Sequence, residues 1–174
     1  MKASQPKRGN SSNGFLSVES FLNTLPVFKR LATDELREFT RLIHVRWFKK
    51  GESVFYAKEP GIGMYFIHEG AIKLYHDESL NGNSPTTLLM RGDFFGELSF
   101  LDDQQSRSYT ATATEDCCLI ALFRPELIRL MDRKPKLGNK IMMILNGLIS
   151  QQLHQRDEEI RQIRENLSNA NFIL

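Results

Sequence analysis

The most informative segment of the chain is RGDFFGELSFLDDQQSRS, at residues 91–108. Gly96 permits a close approach of the backbone, and the residues after it can form one helical turn whose free N–H groups face whatever lies in front of them. Such a turn favours an anion. The carboxylate of Glu97 suits that position only if it turns aside and accepts hydrogen bonds from neutral hydroxyls, such as those of a ribose.

Two further residues complete this pocket. Arg107 returns at the start of a strand, and its planar cation matches the oxygens of a phosphate. Ser108 adds a hydroxyl and a backbone N–H. The segment therefore predicts a pocket for a sugar phosphate.

The chain around this segment consists of short runs rich in β-forming residues, separated by glycines and other turn residues. Many short strands at even spacing predict a small antiparallel sandwich or roll. A tight turn is predicted at Asn81-Gly82. The predicted strands are 45–48, 53–56, 64–68, 71–76, 86–90, 109–114 and 117–122.

Helical patterns flank the β-rich region on both sides. Apolar residues at helical intervals predict two short helices between Ser17 and Leu42, interrupted at Pro26. After the strands, a helix is predicted over 126–133, and Pro135 opens a longer one that runs to about Asn166. The predicted fold is α+β, an antiparallel β-roll of the double-stranded jelly-roll type with N-terminal helices and a long C-terminal helix.

Three regions follow from these patterns. Residues 1–14 hold three basic and no acidic side chains and are expected to form a flexible basic arm. Residues 15–134 are the roll with its flanking helices, and residues 135–174 are a long dimerisation helix and tail. Within that helix, a heptad pattern predicts half of a two-stranded coiled coil, although an amphipathic helix folded back on its own domain is the alternative. The a positions are Asn146, Leu153, Ile160 and Leu167, and the d positions are Met142, Ile149, Arg156, Ile163 and Ala170.

Composition excludes several classes of protein. The 174 residues are 41% hydrophobic, which is enough to bury a core without metals or disulfides. A net charge of +2 is too balanced for direct binding of nucleic acid, and no apolar run is long enough for a membrane span. Cys117 and Cys118 are adjacent and are expected to be packed thiols in a reducing compartment, so a cytoplasmic location is predicted.

Catalytic patterns are also missing from the sequence. The four histidines have separations that match no compact metal signature, and no serine stands in a Gly-x-Ser-x-Gly elbow. Asp102 and Asp103 are adjacent and diverge on a turn or a strand, so they do not form an acid/base couple. We therefore expect no enzyme, no metal and no cofactor.

The sequence resembles the cyclic-nucleotide-binding domains over about residues 16–153. Phe-Gly-Glu-Leu at 95–98, followed ten residues after its Glu by Arg-Ser, is similar to that family's phosphate-binding cassette. Other parts agree in order and spacing: Lys50-Gly51-Glu52, the run from Gly63 to Ile67 before Glu69-Gly70, and Gly92-Asp93.

The resemblance implies a cyclic nucleotide as the ligand, with cAMP favoured over cGMP. Gly96 and Leu98 through backbone amides, Arg107 through its guanidinium and Ser108 through its side chain or N–H would hold the cyclic phosphate. Glu97 would accept a hydrogen bond from the ribose 2′-OH.

In the bacterial catabolite activator branch of this family, the long helix after the roll forms the dimer and touches the purine. By spacing from Pro135, Gln152 and Leu153 fall near that contact, and Gln could hydrogen-bond either an adenine or a guanine edge. The sequence departs from the family at Tyr109, where a small residue is usual, and at Gln152, where a small hydroxyl residue is expected. The phenol could stack on the ligand, narrow the pocket or face the core.

That branch carries a helix-turn-helix domain after the long helix, whereas this chain ends at Leu174. The expected function is therefore a cyclic-nucleotide-binding regulatory or sensor protein that signals through its C-terminal helix to a partner or within a homodimer. The alternatives are a constitutive dimeric interaction platform with a non-binding roll and a truncated sensor half of a transcription regulator.

Overall fold

A computed structural model describes residues 11–76, 86–102 and 106–171. The helices are α1 (Ser11–Thr24), a 3-10 helix (Pro26–Arg30), α2 (Thr33–Thr40), α3 (Glu97–Leu101), α4 (Arg124–Arg133) and α5 (Pro135–Asn171). The strands are β1 (Ile43–Phe48), β2 (Ser53–Phe55), β3 (Gly63–Glu69), β4 (Ile72–Tyr75), β5 (Thr86–Leu89), β6 (Phe94–Phe95), β7 (Thr110–Ala113) and β8 (Cys117–Phe123).

The strands form two four-stranded sheets, in the orders β1-β8-β3-β6 and β2-β7-β4-β5. All of the paired strands are antiparallel. The predicted antiparallel roll is confirmed, together with its N-terminal helices and long C-terminal helix. The two-residue strand β6 was not predicted, because two residues are too few to show alternation. The predicted turn at Asn81-Gly82 lies outside the described residues.

Strand alternation divides the buried side chains between two cores. In β3, Met64 and Phe66 belong to a core shared with the helices, while Ile67 belongs to the core between the sheets. β8 divides in the same way, with Ile120 toward the helices and Leu119 toward the other sheet. Successive side chains of a strand point to opposite faces, so the first sheet is covered on both faces.

The N-terminal helices differ from the prediction. Helix α1 begins at Ser11, so residues 11–14, assigned to a flexible arm, are helical and that part of the prediction is wrong. Their polar composition carries no helix signal, and the helix is held instead by the next turns, where Phe21 and Leu22 are buried. Residues 1–10 lie outside the described residues. The 3-10 helix begins at Pro26 and ends before α2 begins.

Helix α5 is longer than predicted. Its first half, residues 135–152, and its second half, residues 153–171, have different surroundings. Its 37 residues extend about 55 Å at 1.5 Å per residue. The first half packs on its own domain, as the alternative prediction held, through Leu137, Ile141, Ile144 and Leu145, all of them buried. In the second half, four heptad residues are about half exposed or more: Leu153, Ile160, Ile163 and Leu167.

Candidate ligand-binding site

Gly96 joins β6 to α3, and only glycine fits there. Its φ of +83° is one that side-chain-bearing residues rarely adopt. A Cβ at this position would lie 2.6 Å from Nη1 of Arg107 and 3.0 Å from the carbonyl oxygen of Gly63. β6 pairs with β3, so the start of α3 is brought against the start of β3, where Gly63 lies.

Arg107 is a buried cation at the centre of the site, with 6% of its surface exposed. Its Nη1 donates to the carbonyl of Gly96 at 2.9 Å and its Nη2 to that of Gly63 at 2.7 Å. The guanidinium carbon lies 4.0 Å from the centre of the Phe55 ring. Burial lowers the pKa of Arg107 from its ordinary value. The side chain is therefore held in one place by carbonyls and an aromatic face.

The loop before β3 holds the backbone of Arg107. The Arg107 N–H donates to the carbonyl of Glu59 at 2.9 Å, and the Arg107 carbonyl accepts from the N–H of Lys58 at 2.8 Å. Lys58 adopts a φ of +68°, which is uncommon for a residue with a side chain. Both the backbone and the side chain of Arg107 thus depend on residues more than 40 positions earlier in the chain.

Glu97, the first residue of α3, is also buried, with 6% of its surface exposed. Its Oε2 has no hydrogen-bond partner among the described residues. Burial raises the pKa of Glu97, against the lowering effects of its own backbone N–H, Arg156 and Arg107. A buried oxygen without a donor costs free energy, and a ligand hydroxyl could supply that donor.

An open cleft lies at this place, and the space of about 180 Å³ within and in front of it includes open solvent. It brings together four of the predicted residues, Gly96, Leu98, Arg107 and Ser108, with Ser106 and Tyr109 completing the lining. Glu97 lies beside the cleft rather than among the residues that line it. Gln152, predicted to touch a base, is partly buried on α5 and does not line the cleft.

Tyr109 occupies the cleft in a way that the sequence left open. Its hydroxyl accepts a hydrogen bond of 2.9 Å from the Gly96 N–H. Its ring lies beside Phe55, with 5.8 Å between the ring centres. Burial raises the pKa of Tyr109 strongly, so the hydroxyl keeps its proton. The phenol neither turns wholly into the core nor stands free.

One residue with an influence on the site was missed. Arg156 of α5 lies near enough for its positive charge to lower the pKa of both Glu97 and Tyr109. The sequence placed it at a d position of the heptad. A charged residue at an otherwise apolar position was the available signal that this point of the helix faces something other than a hydrophobic seam.

In residues 11–76, 86–102 and 106–171, no group of three or more His, Cys, Asp or Glu is arranged to hold a metal ion. Within the same ranges, none of the helices combines the length and apolar character that a bilayer crossing requires.

Comparison with known proteins identifies the class to which this fold and cleft belong. Residues 45–134 match the family model described as the cyclic nucleotide-binding domain, a range that includes most of β1, the elements from β2 to α4 and the whole cleft. The chain belongs to this family. The resemblance predicted from the Phe-Gly-Glu-Leu segment is confirmed.

Particular relatives extend the match beyond that range. The chain is 32% identical over 136 residues to the cyclic AMP receptor protein of Thermus thermophilus, covering 78% of this chain and 60% of the relative. It is 30% identical over 140 residues to a putative potassium channel protein of Rhodopseudomonas palustris, covering 80% of this chain and 33% of the relative. The chain therefore spans less than two thirds of either protein.

Solved structures agree with the fold. A cyclic nucleotide-binding domain from Methylobacillus flagellatus superposes with a TM-score of 0.75, at 22% identity, over 88% of this chain and 86% of that one. The catabolite activator protein of Thermus thermophilus superposes with a TM-score of 0.63, at 31% identity, over 80% of this chain and 63% of that one. Other relatives are named as a cAMP-dependent protein kinase regulatory subunit of Mycosarcoma maydis and a cGMP-dependent protein kinase of Eimeria tenella.

Proposed function

We propose that this chain is a sensor that binds a cyclic nucleotide in the cleft between α3 and the start of β7. The observation that carries the proposal is that two charged side chains are buried at this place, Arg107 in the lining of the cleft and Glu97 beside it. Burying a charge is costly unless a partner compensates it. A ligand hydroxyl would supply the donor that Glu97 Oε2 lacks among the described residues, and an anionic group of the same ligand would be attracted by the positive charge of Arg107.

The phosphate is assigned to the cleft itself. Arg107 supplies the positive charge, Ser108 a hydroxyl or N–H, and Leu98 its backbone amide, as the family resemblance implies. The resemblance also assigns the Gly96 amide to the phosphate, but in the structure this N–H donates to the Tyr109 hydroxyl. Because the carbonyls of Gly96 and Gly63 hold the guanidinium in place, little side-chain entropy is lost when the anion binds. The ribose 2′-hydroxyl donates to Glu97, whose buried oxygen lacks a donor among the described residues.

We propose adenine as the base, with cAMP preferred to cGMP, because the relative with 32% identity is named as a cyclic AMP receptor protein. Relatives are named for both nucleotides, as a cyclic AMP receptor protein and cGMP-dependent protein kinases. Gln152 of α5 remains the proposed base contact, since its amide can pair with either purine edge.

Calorimetric titration with cAMP, cGMP and a cyclic dinucleotide tests the binding proposal. We expect Arg107→Ala to weaken cAMP binding by about tenfold to a hundredfold, because the lost hydrogen bonds involve a charged group. Arg30→Ala removes an exposed arginine of the 3-10 helix and should leave affinity unchanged. Arg107→Lys keeps the positive charge and serves as a second variant in case Arg107→Ala does not fold. A wild-type protein that binds none of the three nucleotides would refute the function.

We further propose that the signal leaves through α5 in a cytoplasmic homodimer. The exposed apolar residues Leu153, Ile160, Ile163 and Leu167 follow a and d heptad positions, and this arrangement supports pairing with a second copy. The influence of Arg156 on Glu97 supports a link between helix and cleft. Ligand binding would then favour the state in which the helix lies over the cleft, by the difference in affinity between the two states.

Sedimentation equilibrium tests the dimer. We expect the wild-type protein to have the mass of two chains, and Ile160→Asp to have the mass of one, because a buried carboxylate in the seam is unpaired. Gln162→Asp introduces the same group at an exposed c position of the helix and should remain dimeric. A wild-type protein that stays monomeric at about 100 μM, a concentration ample for a stable coiled coil, would contradict the assignment.

The alternative of a constitutive platform predicts a different result from the same measurements. Its dimer would form as described, while no cyclic nucleotide would bind or raise the melting temperature. A ligand at 100 times its dissociation constant should instead stabilise the protein by about 2.7 kcal/mol.

A further inference from the structure

The Tyr109 hydroxyl has an incomplete set of hydrogen bonds. It accepts one from the Gly96 N–H at 2.9 Å and donates none to the described residues. A phenol can both donate and accept. The proton of this hydroxyl therefore remains available at the wall of the cleft.

The surroundings hold this hydroxyl firmly in place. The Tyr109 ring lies beside Phe55, and the Arg107 guanidinium covers the face of the same Phe55 ring at 4.0 Å. Burial first, and then the negative charge of Glu97, raises the pKa of Tyr109. The group therefore stays a neutral donor at physiological pH, near a carboxylate that lacks a donor.

We propose that Tyr109 is a ligand-binding residue. Its hydroxyl donates a hydrogen bond to the same sugar hydroxyl that donates one to the Glu97 carboxylate. This inference rests on the proposed function and adds a specificity-determining residue to it. The hydrogen bonds would run in one direction, from the Gly96 N–H to the Tyr109 hydroxyl, from there to the ligand hydroxyl, and from the ligand hydroxyl to the Glu97 carboxylate. Only a ligand group that both accepts and donates a hydrogen bond completes this series of hydrogen bonds.

The common direction of these hydrogen bonds has an energetic consequence. Each donor in a series of hydrogen bonds is polarised by the bond it accepts, so the Gly96 N–H makes the Tyr109 hydroxyl a better donor. The bonds are buried, where their electrostatic part is stronger than in water. Tyr109 therefore favours a ribose over a 2′-deoxyribose, in addition to any preference that Glu97 confers.

Two other roles for the phenol make different predictions. A phenol that blocks the Gly96 amide would compete with the ligand, and its removal would strengthen binding. A phenol that only supports the cleft would affect ligands with and without the hydroxyl equally. The proposed contact alone predicts a loss that depends on the ligand hydroxyl.

The test pairs a protein variant with a ligand variant. Tyr109→Phe removes only the hydroxyl, and calorimetry compares wild type and variant with cAMP, cGMP and the 2′-deoxy form of each. We expect about three- to tenfold weaker binding of the ribonucleotide and no change for the deoxy analogue. Tyr56→Phe, an exposed tyrosine in the loop after β2, is the matched control and should change neither affinity. Melting temperatures without ligand check that both variants fold.

The outcomes separate this inference from the proposed function. Wild-type binding with an unchanged or tighter Tyr109→Phe variant overturns the role of Tyr109 and leaves the function intact. An equal loss for ribose and deoxyribose ligands also overturns it, since the effect would then not pass through the ligand hydroxyl. A wild-type protein that binds no cyclic nucleotide overturns both.

Discussion

The two halves of α5 carry similar apolar patterns but have opposite surroundings. In the first half, Ile141 and Leu145 are fully buried against the helices of the same chain. In the second half, Leu153 and Leu167 are 61% and 60% exposed. Both halves have the spacing of an amphipathic helix, so this spacing alone does not decide burial. The difference lies in whether another element of the chain faces the helix.

The charged residues of the two halves differ in the same way. Near and within the first half, Lys134 pairs with Glu38 of α2 at 2.9 Å, and Lys140 pairs with Glu35 of the same helix. In the second half, Arg161 pairs with Glu158, three residues away on α5 itself. The first half is therefore joined to the domain by contacts distant in sequence, while this ion pair of the second half lies within α5 itself.

The largest effect expected from this comparison is on folding stability. We expect Leu145→Ala to lower the free energy of unfolding by about 2–5 kcal/mol, because it removes a fully buried side chain and leaves a cavity. Leu153→Ala, the same change eight residues on, should cost under about 0.5 kcal/mol in the monomer. Urea denaturation at low protein concentration measures both.

Measuring the stability of the same two variants at several protein concentrations tests the second half of α5. If Leu153 lies in a dimer seam, its substitution destabilises the protein only where the dimer is populated. An equal loss of stability for both variants at every concentration would show that the two halves do not differ as described.

The local part of the site was predictable because it lies within one short stretch of chain. Gly96, Leu98, Arg107 and Ser108 meet at one cleft, as their spacing implied. The contacts that hold them are not local: Gly63 binds Arg107 from 44 residues away. Nothing in the sequence pattern of β3 distinguishes the Gly63 carbonyl from its neighbours. The prediction therefore identified side chains of the site but not the distant backbone group that holds Arg107.

The fold was predicted in the same uneven way. Alternation and turn residues were sufficient for seven strands, because each extends over three or more residues with a buried face. The sequence did not choose between a dimer seam and an intramolecular contact for α5, since either surface buries the same apolar stripe. Tyr109 was left with three possible orientations, and its bond to Gly96 depends on tertiary placement.

Two glycines of α5 provide a second test, of intermediate size. A Cβ at Gly138 would lie 2.5 Å from the Met131 side chain and 2.8 Å from its Cα, because α4 and α5 approach closely there. Gly138→Ala should therefore destabilise the protein by about 1–3 kcal/mol. A Cβ at Gly147 would meet nothing within 4 Å, and Gly147→Ala should stabilise it by about 0.5–1 kcal/mol through helix propensity. Thermal unfolding of the two variants shows whether each substitution raises or lowers the stability.

The Gly147 variant also probes the point where the two halves join. A destabilising effect there, in a dimer but not in a monomer, would mean that a second chain approaches the glycine closely. A stabilising effect in both states means that the space around it stays open.

The smallest expected effect tests whether the exposed half of α5 acts on the cleft. The positive charge of Arg156 lowers the pKa of Glu97, while burial raises it above its ordinary value of 4.5. Arg156→Gln should therefore raise the pKa of Glu97 further, as measured by carbon NMR of the Glu97 carboxyl. Arg161→Gln, which removes an exposed arginine of the same helix, should leave that pKa unchanged.

Stability should follow the same direction. Since the folded protein holds the Glu97 proton more tightly than the unfolded chain, stability falls as the pH rises from about 4.5 through the raised pKa, and stays level above it. Arg156→Gln should extend this fall to higher pH and deepen it by less than about 0.5 kcal/mol, because the arginine is exposed. Glu97→Gln should abolish the fall altogether. Identical Glu97 titrations in wild type and Arg156→Gln would mean that the second half of α5 has no electrostatic contact with the cleft.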